Sequence, residues 1–385
     1  MRILHTAATY APSLDGVAEI VRNISERLVR RGHDVHVATA AMDSEAFREQ
    51  LNGVHVHRFK ARGNLALGMH GETQRYLEFV GSGHWDILVN HSLHVWPTDL
   101  LLKDIGSYPW PSVLVTQGLV NEDPLHWEYY STIPRYLPAY FKWIRVSHST
   151  AELSFAKKFN IPIPPVITNG VDMDEWSRPP LGLRQSWRIG PRPWVVNVSN
   201  HSPVKNHNLF FQLAKSLPNL GAHFTLIAGT YPMNKWGLGR FGISGGCAYQ
   251  CRLRSALSPE AVQLSVNLRR EEVVSAIKEA NVVVSTSRKE ANSIVLLESM
   301  AAGIPWVSFD VGSARENEGG IVAANFSEMV EAVIELSQNP RLRERLGAAG
   351  RAQVVVKHDW DGIVDQYEQL YDMALGSKAQ VMSPA

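Results

Sequence analysis

The sequence is poor in cysteine, in net charge and in long apolar runs, and each shortage excludes a class of protein. Its two cysteines, Cys247 and Cys251, are too few for a disulfide framework, and no further metal ligand follows at a useful spacing. The formal net charge of +1 gives no field that would attract nucleic acid. No apolar run approaches the ~18 residues of a membrane-spanning helix. We therefore expect two reduced thiols in a cytoplasmic protein that binds no nucleic acid.

The 385 residues, with 45% hydrophobic and 19% charged side chains, suit a globular α/β enzyme of two or three domains. Short apolar segments alternate with amphipathic helical ones, which predicts parallel sheets covered by helices on both faces. The start, MRILHTAATY, is typical of a first strand rather than of a signal peptide. The predicted strands are 2–7, 34–40, 54–59, 86–90, 112–116, 143–146, 194–199, 223–228, 263–267, 281–285 and 306–309. The predicted helices are 17–31, 206–216, 271–280, 294–302, 326–337, 341–356 and 361–374.

The alternation restarts after Pro193, so we predict two doubly wound domains. The first spans residues 1–172 and the second residues 173–358, with the Pro- and Gly-rich stretch 171–193 as a linker. The tail 376–385 is expected to be frayed. Because doubly wound sheets bind ligands at the carboxyl ends of their strands, two such domains facing each other predict a cleft with a small-molecule site.

Chemistry concentrates in residues 285–305, which read STSRKEANSIVLLESMAAGIP. A strand ends there, a loop carries Glu290, and Asn292 or Ser293 can cap the helix that follows. The free N–H groups at such a helix start form an anion site that suits a diphosphate.

Two carboxylates flank this helix start, because Glu290 precedes it and Glu298 lies one turn inside the helix. A carboxylate can accept hydrogen bonds from two neighbouring hydroxyls of a sugar or a ribose. The alternative is that Glu290 merely complements the helix dipole and that Glu298 is a solvated surface residue.

Five segments, taken in order, resemble those of glycosyltransferase family 4, which has a GT-B fold of two Rossmann-like domains facing across a cleft. The Glu290 and Glu298 pair resembles the donor-binding signature of that family. The other segments are the glycine turn, helix and strand of 15–35, the domain junction 167–172, the strand and loop 196–206 with Lys205, and the C-terminal helix. The resemblance implies that this last helix, 359–375, packs back on the first domain.

The resemblance also implies roles for individual residues. Glu298 would bind the ribose hydroxyls and Glu290 would lie beside the donor sugar, while Lys205 and the helix amides would hold the diphosphate. The implied catalytic residues are therefore Glu290 and Lys205. The implied donor-binding residues are Gly16, Asn200, Lys205, Ala291, Asn292, Ser293, Ile294 and Glu298. The segment 267–270 is a weaker candidate for the nucleobase pocket.

The sequence also departs from the family pattern. The family commonly has Gly-Arg where this chain has Ser199-Asn200, and glycines where it has Ala291 and Ser293. Where a histidine often stands near the donor sugar, this chain has Gln117. His91 and His94, which follow the predicted strand 86–90, are candidate substitutes, and they are equally readable as hydrogen-bonded loop histidines.

Two further features have alternative readings. The pairs Asp172 with Asp174, and Asp359 with Asp361, have the spacing of divalent-metal ligands, but Asp-rich loops are common and the resemblance implies no bound metal or other cofactor. The stretch 126–145 is dense in aromatic and basic side chains, which suits a membrane interface, although core packing explains it too.

We therefore expect a retaining glycosyltransferase that moves a hexose-type sugar from a nucleotide-diphosphate sugar to a glycan or lipid-linked acceptor. The expected setting is cell-surface polysaccharide or glycolipid biosynthesis, in the cytoplasm or peripherally at the inner face of the plasma membrane. The alternative is a GT-B-shaped protein that binds nucleotide without transferring sugar. A nicotinamide-dependent oxidoreductase is disfavoured because Gly16 stands alone where a G-x-G-x-x-G fingerprint would be required.

Overall fold

The computed structural model describes residues 1–13, 15–41, 47–119, 127–148, 151–229, 247–257 and 261–382. The chain divides into two compact units. Unit 1 comprises Met1–Asn169 together with Trp360–Ala385, and unit 2 comprises Gly170–Asp359. The division falls between Asn169 and Gly170, whereas the sequence predicts it between residues 172 and 173.

The strands follow the apolar segments of the sequence, because strands in parallel sheets are buried on both faces. They are β1 (Arg2–Thr6), β2 (Asp34–Ala40), β3 (Arg48–Leu51), β4 (Val54–Phe59), β5 (Ala61–Asn64), β6 (Gly68–Gly71), β7 (Ile87–His91), β8 (Ser112–Val115), β9 (Lys142–Ile144), β10 (Trp194–Asn200), β11 (His223–Gly229), β12 (Gln263–Val266), β13 (Val282–Ser285), β14 (Trp306–Phe309) and β15 (Gly320–Ala323).

The helices place one apolar stripe each against a sheet or a neighbouring helix. They are α1 (Gly16–Arg30), α2 (Thr73–Ser82), α3 (Trp96–Asp99), α4 (Trp127–Thr132), α5 (Ala151–Lys158), α6 (Met173–Ser177), α7 (Leu183–Ser186), α8 (His207–Ser216), α9 (Cys247–Leu257), α10 (Arg270–Glu279), α11 (Ile294–Ala302), α12 (Phe326–Gln338), α13 (Pro340–Lys357) and α14 (Trp360–Met382). Short 3-10 turns lie at Ile105–Ser107, Ile133–Arg135, Leu137–Ala139, Pro203–Lys205, Pro218–Leu220 and Ala314–Glu316.

Unit 1 is built on a sheet in the order β3-β4-β2-β1-β7-β8-β9, in which β3 alone pairs antiparallel. The small β5-β6 hairpin is separate from this sheet. The chain builds outwards from β1 through β2 to β4, and then restarts on the other side of β1 with β7. The strand order therefore reverses between β1 and β7, and the carboxyl ends of these two strands mark the crevice where a doubly wound sheet binds ligands.

Unit 2 repeats this architecture with the sheet order β12-β11-β10-β13-β14-β15, and each neighbouring pair is parallel. Here the order reverses between β10 and β13. Both sheets are thus doubly wound, as the alternation of strands and helices in the sequence predicts. The loops that follow β10 and β13 are the ones that the topology brings to a ligand site in unit 2.

The predicted linker 171–193 is wrong, because this stretch packs on unit 2. Trp176, in α6, is completely buried in an apolar cluster of that unit, and its carbonyl accepts a 2.8 Å hydrogen bond from Lys278 Nζ. Arg184, in α7, donates to the carbonyl of Glu279 and to Asn281 Oδ1. Proline and glycine here shape turns between buried aromatic and aliphatic anchors.

The C-terminal helix α14 belongs to unit 1, where it packs along α1. Arg31 pairs with Asp365 at 2.6 Å and with Glu368, which also accepts from His33 Nε2 at 2.7 Å. Tyr367 and Tyr371 are buried beneath these polar contacts. The tail that we predicted to be frayed is helical as far as Met382, because no proline interrupts the helix before Pro384.

The buried ring of Tyr371 gives a test of this packing. Replacing it in Tyr371→Ala should lower the free energy of unfolding of unit 1 by about 3 kcal/mol, the order expected when a buried aromatic side chain is removed. Urea denaturation followed by circular dichroism measures the change. The exposed neighbour provides a matched variant, since Asp372→Ala should leave stability within about 0.5 kcal/mol. Equal effects of the two changes would contradict the docking of this helix.

Candidate functional site

In unit 2, two loops leave the sheet at the point where its strand order reverses. The loop after β10 carries Lys205, and the loop after β13 carries Glu290. Their backbones are tied together, because Thr286 Oγ1 donates to the carbonyl of Lys205 at 3.0 Å and Arg288 N–H donates to the carbonyl of Val204 at 2.8 Å. The topology and these bonds together place the two predicted residues side by side.

Lys205 and Glu290 form an ion pair, with 2.6 Å between Nζ and Oε1. The side chains are 28% and 12% exposed, so the pair is partly buried but still reached by solvent. What the pair does is hold an ammonium and a carboxylate in fixed positions next to one another. An incoming anion can share the ammonium, and a hydroxyl can donate to the carboxylate.

The start of α11 lies directly after this carboxylate in the chain. Ser293 occupies the capping position, but its side chain makes no capping hydrogen bond, and the capping role predicted for it or for Asn292 is wrong in that respect. Asn292 instead accepts from Ser313 Oγ at 3.4 Å. Over the described part of the chain, no hydrogen bond is found from the N–H groups of Ser293, Ile294 or Val295. These are the amides at which the sequence predicts an anion site, and that role stays a prediction.

Glu298 is only 5% exposed, so its reading as a solvated surface residue is wrong. Its Oε1 lies 2.5 Å from Nη1 of Arg270. Arg270 also donates two hydrogen bonds, of 2.9 and 2.6 Å, to the carboxylate of Glu175. Arg270 closes the segment 267–270 that the sequence suggests for a nucleobase. The predicted ribose ligand and the predicted nucleobase segment are therefore neighbours in the structure.

Sequence reasoning missed Gly312, which supports the loop of Glu290 from behind. A Cβ atom at this position would lie 2.6 Å from the carbonyl oxygen of Ala291 and 2.7 Å from that of Glu290. Its backbone also has a φ of +55°, which side-chain-bearing residues seldom adopt. The signal in the sequence is slight, since Gly312 lies in an ordinary turn after β14.

Asn200 ends β10, beside Gly229 of β11, where a Cβ would come within 2.6 Å of Asn200 Oδ1. The preceding Ser199 is hydrogen-bonded to His207. Neither Ser199 nor Asn200 is charged, so the two residues supply no cation where the family commonly has arginine. Two exposed cations that the sequence analysis gave no role, Arg288 and Lys289, adjoin Glu290 in the chain.

In unit 1, Gly16 is the exposed first residue of α1, after the reversal-point strand β1. The helix start is already capped, because Asp15 Oδ1 accepts hydrogen bonds of 3.1 Å from both Val17 N–H and Ala18 N–H. The role predicted for Gly16, to let the backbone approach a diphosphate, stays a prediction. Any anion bound here would have to reach past the Asp15 carboxylate.

The histidine candidates separate clearly. His91 is fully buried at the end of β7, and its Nε2 lies 2.9 Å from Nδ1 of His5. Burial lowers the pKa of His5 to about 3 and holds the pKa of His91 well below its usual value, so both rings are neutral at pH 7. The prediction that His91 contacts sugar does not fit its burial, because the ring belongs to the core of unit 1.

His94 and Gln117 lie half-buried after β7 and β8, each with a positive φ, of 63° and 55°. The His94 N–H donates to the Tyr129 hydroxyl at 2.6 Å, and this hydroxyl donates to Asp99 at 2.7 Å. Burial raises the pKa of Asp99 to about 6. Strained backbone of this kind clusters at functional sites. The sequence patterns revealed neither this backbone conformation nor the contacts of Tyr129 and Asp99.

The structure also gives partners to the side chains of two other motifs. Asp172 caps α6 through Asp174 N–H at 3.2 Å, and Asp361 lies 3.5 Å from Arg27 of α1 and 3.8 Å from Arg31, just after α1, so one carboxylate of each acidic pair has a structural partner. In the stretch 126–145, the rings of Tyr129, Tyr130, Tyr140 and Trp143 are buried in unit 1, while residue 126 lies outside the described residues. None of the described helices is both long and apolar enough to span a bilayer.

Comparisons with known proteins cover most of the chain. The family model for glycosyl transferases group 1 matches residues 183–353, and the model for a glycosyl transferase 4-like domain matches residues 15–146. A phosphatidyl-myo-inositol mannosyltransferase of Mycobacterium leprae is 37% identical over 102 residues. This match covers 24% of the chain and 27% of that mannosyltransferase, so it relates the two proteins through a part of each.

Solved structures match over the whole length. A sucrose-phosphate synthase from Thermosynechococcus elongatus superposes with a TM-score of 0.80 at 16% identity, covering 98% of this chain and 99% of that one. The Anabaena protein HepE in complex with UDP-glucose gives a TM-score of 0.73 at 15% identity, covering 97% and 100%. Likeness at this level of identity concerns the fold.

The close approach at Gly312 gives a test of how the Glu290 loop is held. Gly312→Ala should lower the free energy of unfolding by about 2–4 kcal/mol, because a positive φ and a backbone clash act together. Gly221→Ala is the control, since Gly221 has a φ of +63° but open space around it. Denaturant unfolding compares the two. Equal losses would mean that φ alone matters and that the loop contact does not.

Proposed function

We propose that this chain, which belongs to the GT4-type glycosyltransferases and has their GT-B fold, uses a nucleotide-diphosphate sugar as donor and a glycan or a lipid-linked molecule as acceptor. The two family models and the whole-length structural matches bear out the resemblance drawn from the sequence. It is therefore a transferase, related in part to mannosyltransferases.

The observation that carries the donor proposal is the convergence of one ammonium, three amides and two carboxylates in unit 2. Lys205 and the amides of Ser293, Ile294 and Val295 supply positive charge for a diphosphate. Glu290 lies on one side of the amides in sequence, and Glu298 lies one turn along the helix on the other. This order matches a nucleotide sugar, whose diphosphate separates a hexose from a ribose.

In the proposed reaction, the bond between the anomeric carbon and the diphosphate oxygen breaks, and the nucleoside diphosphate leaves with both electrons. Lys205 and the helix amides stabilise the charge that develops on this leaving group, which is the electrostatic contribution that such sites make. An acceptor hydroxyl forms the new bond to the same carbon, and its proton passes to the departing phosphate. The proposal includes retention of configuration at that carbon.

Donor loading requires the Lys205–Glu290 pair to reorganise. In the structure the ammonium serves the carboxylate, and with a donor bound it would serve the phosphates as well. The carboxylate would then accept from the sugar hydroxyls. Without a donor, the ammonium and the carboxylate therefore neutralise each other.

A hexose donor is the proposal for the sugar, because the relative is named a mannosyltransferase and a structural match holds UDP-glucose. The phosphatidylinositol acceptor of that relative supports a lipid-linked acceptor here, in surface polysaccharide or glycolipid biosynthesis. Peripheral membrane contact in the cytoplasm belongs to this proposal too. Exposed Arg135 and Lys142 would face the anionic headgroups.

Removing the ammonium tests the leaving-group role. Lys205→Ala should lower kcat about 10²- to 10³-fold, the loss typical when one stabilising donor is removed from a developing anion. Nucleoside diphosphate release from a panel of UDP- and GDP-sugars measures it. Lys215→Ala, on the exposed face of α8, should retain full activity. Near-normal turnover in Lys205→Ala would rule out the role, and nucleotide binding without turnover in the unaltered protein would favour a binding protein.

Replacing the buried carboxylate tests the ribose role. Glu298→Gln keeps the shape of the side chain but removes a charge, so the Kd for the nucleoside diphosphate should rise about 10- to 100-fold. Titration calorimetry gives this value directly. Glu271→Gln, on the exposed start of α10, should leave Kd unchanged. An unchanged Kd in Glu298→Gln would assign Glu298 a structural part with Arg270 instead.

A further inference from the structure

Four side chains with metal-binding atoms meet in unit 2, and the proposed reaction uses none of them. They are His201 and His207, on either side of the Lys205 turn, and Cys247 and Cys251, in the first turns of α9. One ligand atom from each lies within 4.8 Å of every other. The spacing of residues in the sequence predicts no further metal ligands near the two cysteines. This prediction is wrong, because the fold places two histidines from some 40 residues earlier beside them.

The distances suit a tetrahedral ion. The Sγ atoms of Cys251 and Cys247 lie 3.4 and 3.6 Å from Nδ1 of His207. Bonds of ~2.3 Å to sulfur and ~2.05 Å to nitrogen at a tetrahedral angle separate the two ligand atoms by ~3.6 Å. The two sulfur atoms therefore lie close to the spacing from His207 Nδ1 that a shared zinc ion requires.

Hydrogen bonding fixes the His207 ring in the form that a metal needs. Ser199 Oγ donates to Asn197 Oδ1 at 2.9 Å, so it accepts from the His207 Nε2–H at 2.8 Å. With the proton on Nε2, the lone pair of Nδ1 points to the two sulfurs. Histidines that bind metals commonly donate their other N–H to an acceptor in this manner.

His201 contributes an unpaired atom. Its Nδ1 is buried, and within the described residues it has no hydrogen-bond partner. Burying a polar nitrogen without a partner costs free energy, and such an atom calls for an explanation in a bound ion or water. Its ring lies 5.2 Å from that of His207, centre to centre, so it borders the same small space as the two thiols.

We propose that His201, His207, Cys247 and Cys251 bind one Zn²⁺ ion. Two thiolates and two imidazoles are a ligand set that zinc favours. Four protein ligands leave no open position, so the ion is structural and takes no part in the transfer reaction. It would cross-link α9 to the loop between β10 and α8, and this loop carries Lys205.

A second group of possible ligands, Asp34, His36 and His55, gives a contrast. It lies in unit 1, and Asp34 and His55 are about half exposed. Asp34 lies 3.0 Å from His36 Nε2 and 3.7 Å from His55 Nε2, and it also pairs with Arg2 at 3.3 Å, so this carboxylate has a cationic partner without a metal. It therefore supplies a control for the test.

The experiment measures zinc in the untagged, full-length protein purified without chelator, using mass spectrometry. We expect about one zinc ion per chain. Cys247→Ser and Cys251→Ser should reduce it to background, whereas His55→Gln should keep it. Ser199→Ala leaves all four ligands in place and should weaken zinc binding about 10- to 100-fold in competition with a chelator dye, as expected when the hydrogen bond behind a ligand is lost.

Cobalt substitution keeps the test independent of whether the cysteine variants fold. Unaltered protein, stripped of metal and loaded with Co²⁺, should show thiolate-to-cobalt charge transfer and the visible bands of a tetrahedral ion. The proposal would be overturned if the purified protein contained no zinc above background and its cobalt-loaded form showed no such spectrum. Zinc that folded cysteine variants retain, zinc lost in His55→Gln, or a disulfide between Cys247 and Cys251 found in the native protein would also overturn it.

Discussion

The ion pair between Lys205 and Glu290 is the contact on which the candidate site depends. It joins two loops that are far apart in sequence, and it does so at the reversal point of the sheet, just after the carboxyl ends of β10 and β13. Hydrogen bonds from the Thr286 hydroxyl and the Arg288 N–H to the carbonyls of Lys205 and Val204 hold the main chain of the two loops together. Elsewhere in the site, charge is arranged around it: free amides at the start of α11 and the buried Glu298 beside Arg270.

This arrangement follows from parallel-sheet topology more than from any single residue. In a doubly wound sheet the strands on either side of the reversal point send their following helices to opposite faces, so their loops part and leave a crevice. Both units have this order, and in each unit unusual features follow a strand at the reversal point. In unit 1 these are the left-handed backbone at Ser92 and His94, and in unit 2 they are the Lys205 turn and the uncapped start of α11.

Much of the fold could be predicted from the sequence, because buried parallel strands and amphipathic helices leave strong periodic signals. The strands that escaped prediction, β3, β5, β6 and β15, are four residues long and carry no sustained apolar pattern. Lys205, Glu290 and Glu298 could be singled out as candidate site residues because they lie in segments that resemble the motifs of glycosyltransferase family 4. Gly312 and the neighbours of Cys247 could not, since both depend on contacts between segments that nothing in a linear spacing reveals. The buried His91 shows the same limit, because its pairing with His5 exists only in three dimensions.

The proposed zinc site gives a physical account of one departure from the family pattern. Where relatives commonly have Gly-Arg, this chain has Ser199-Asn200, and Ser199 is committed to holding His207. The next residue, Asn200, stands where the family commonly has arginine, and its uncharged side chain supplies no cation there. The same loop between β10 and α8 would instead be tied to α9 through the metal, which restricts the backbone that carries Lys205. In the proposed reaction, rigid placement of the Lys205 ammonium would favour transfer, since a preorganised charge stabilises a developing anion without reorganisation at the moment of reaction.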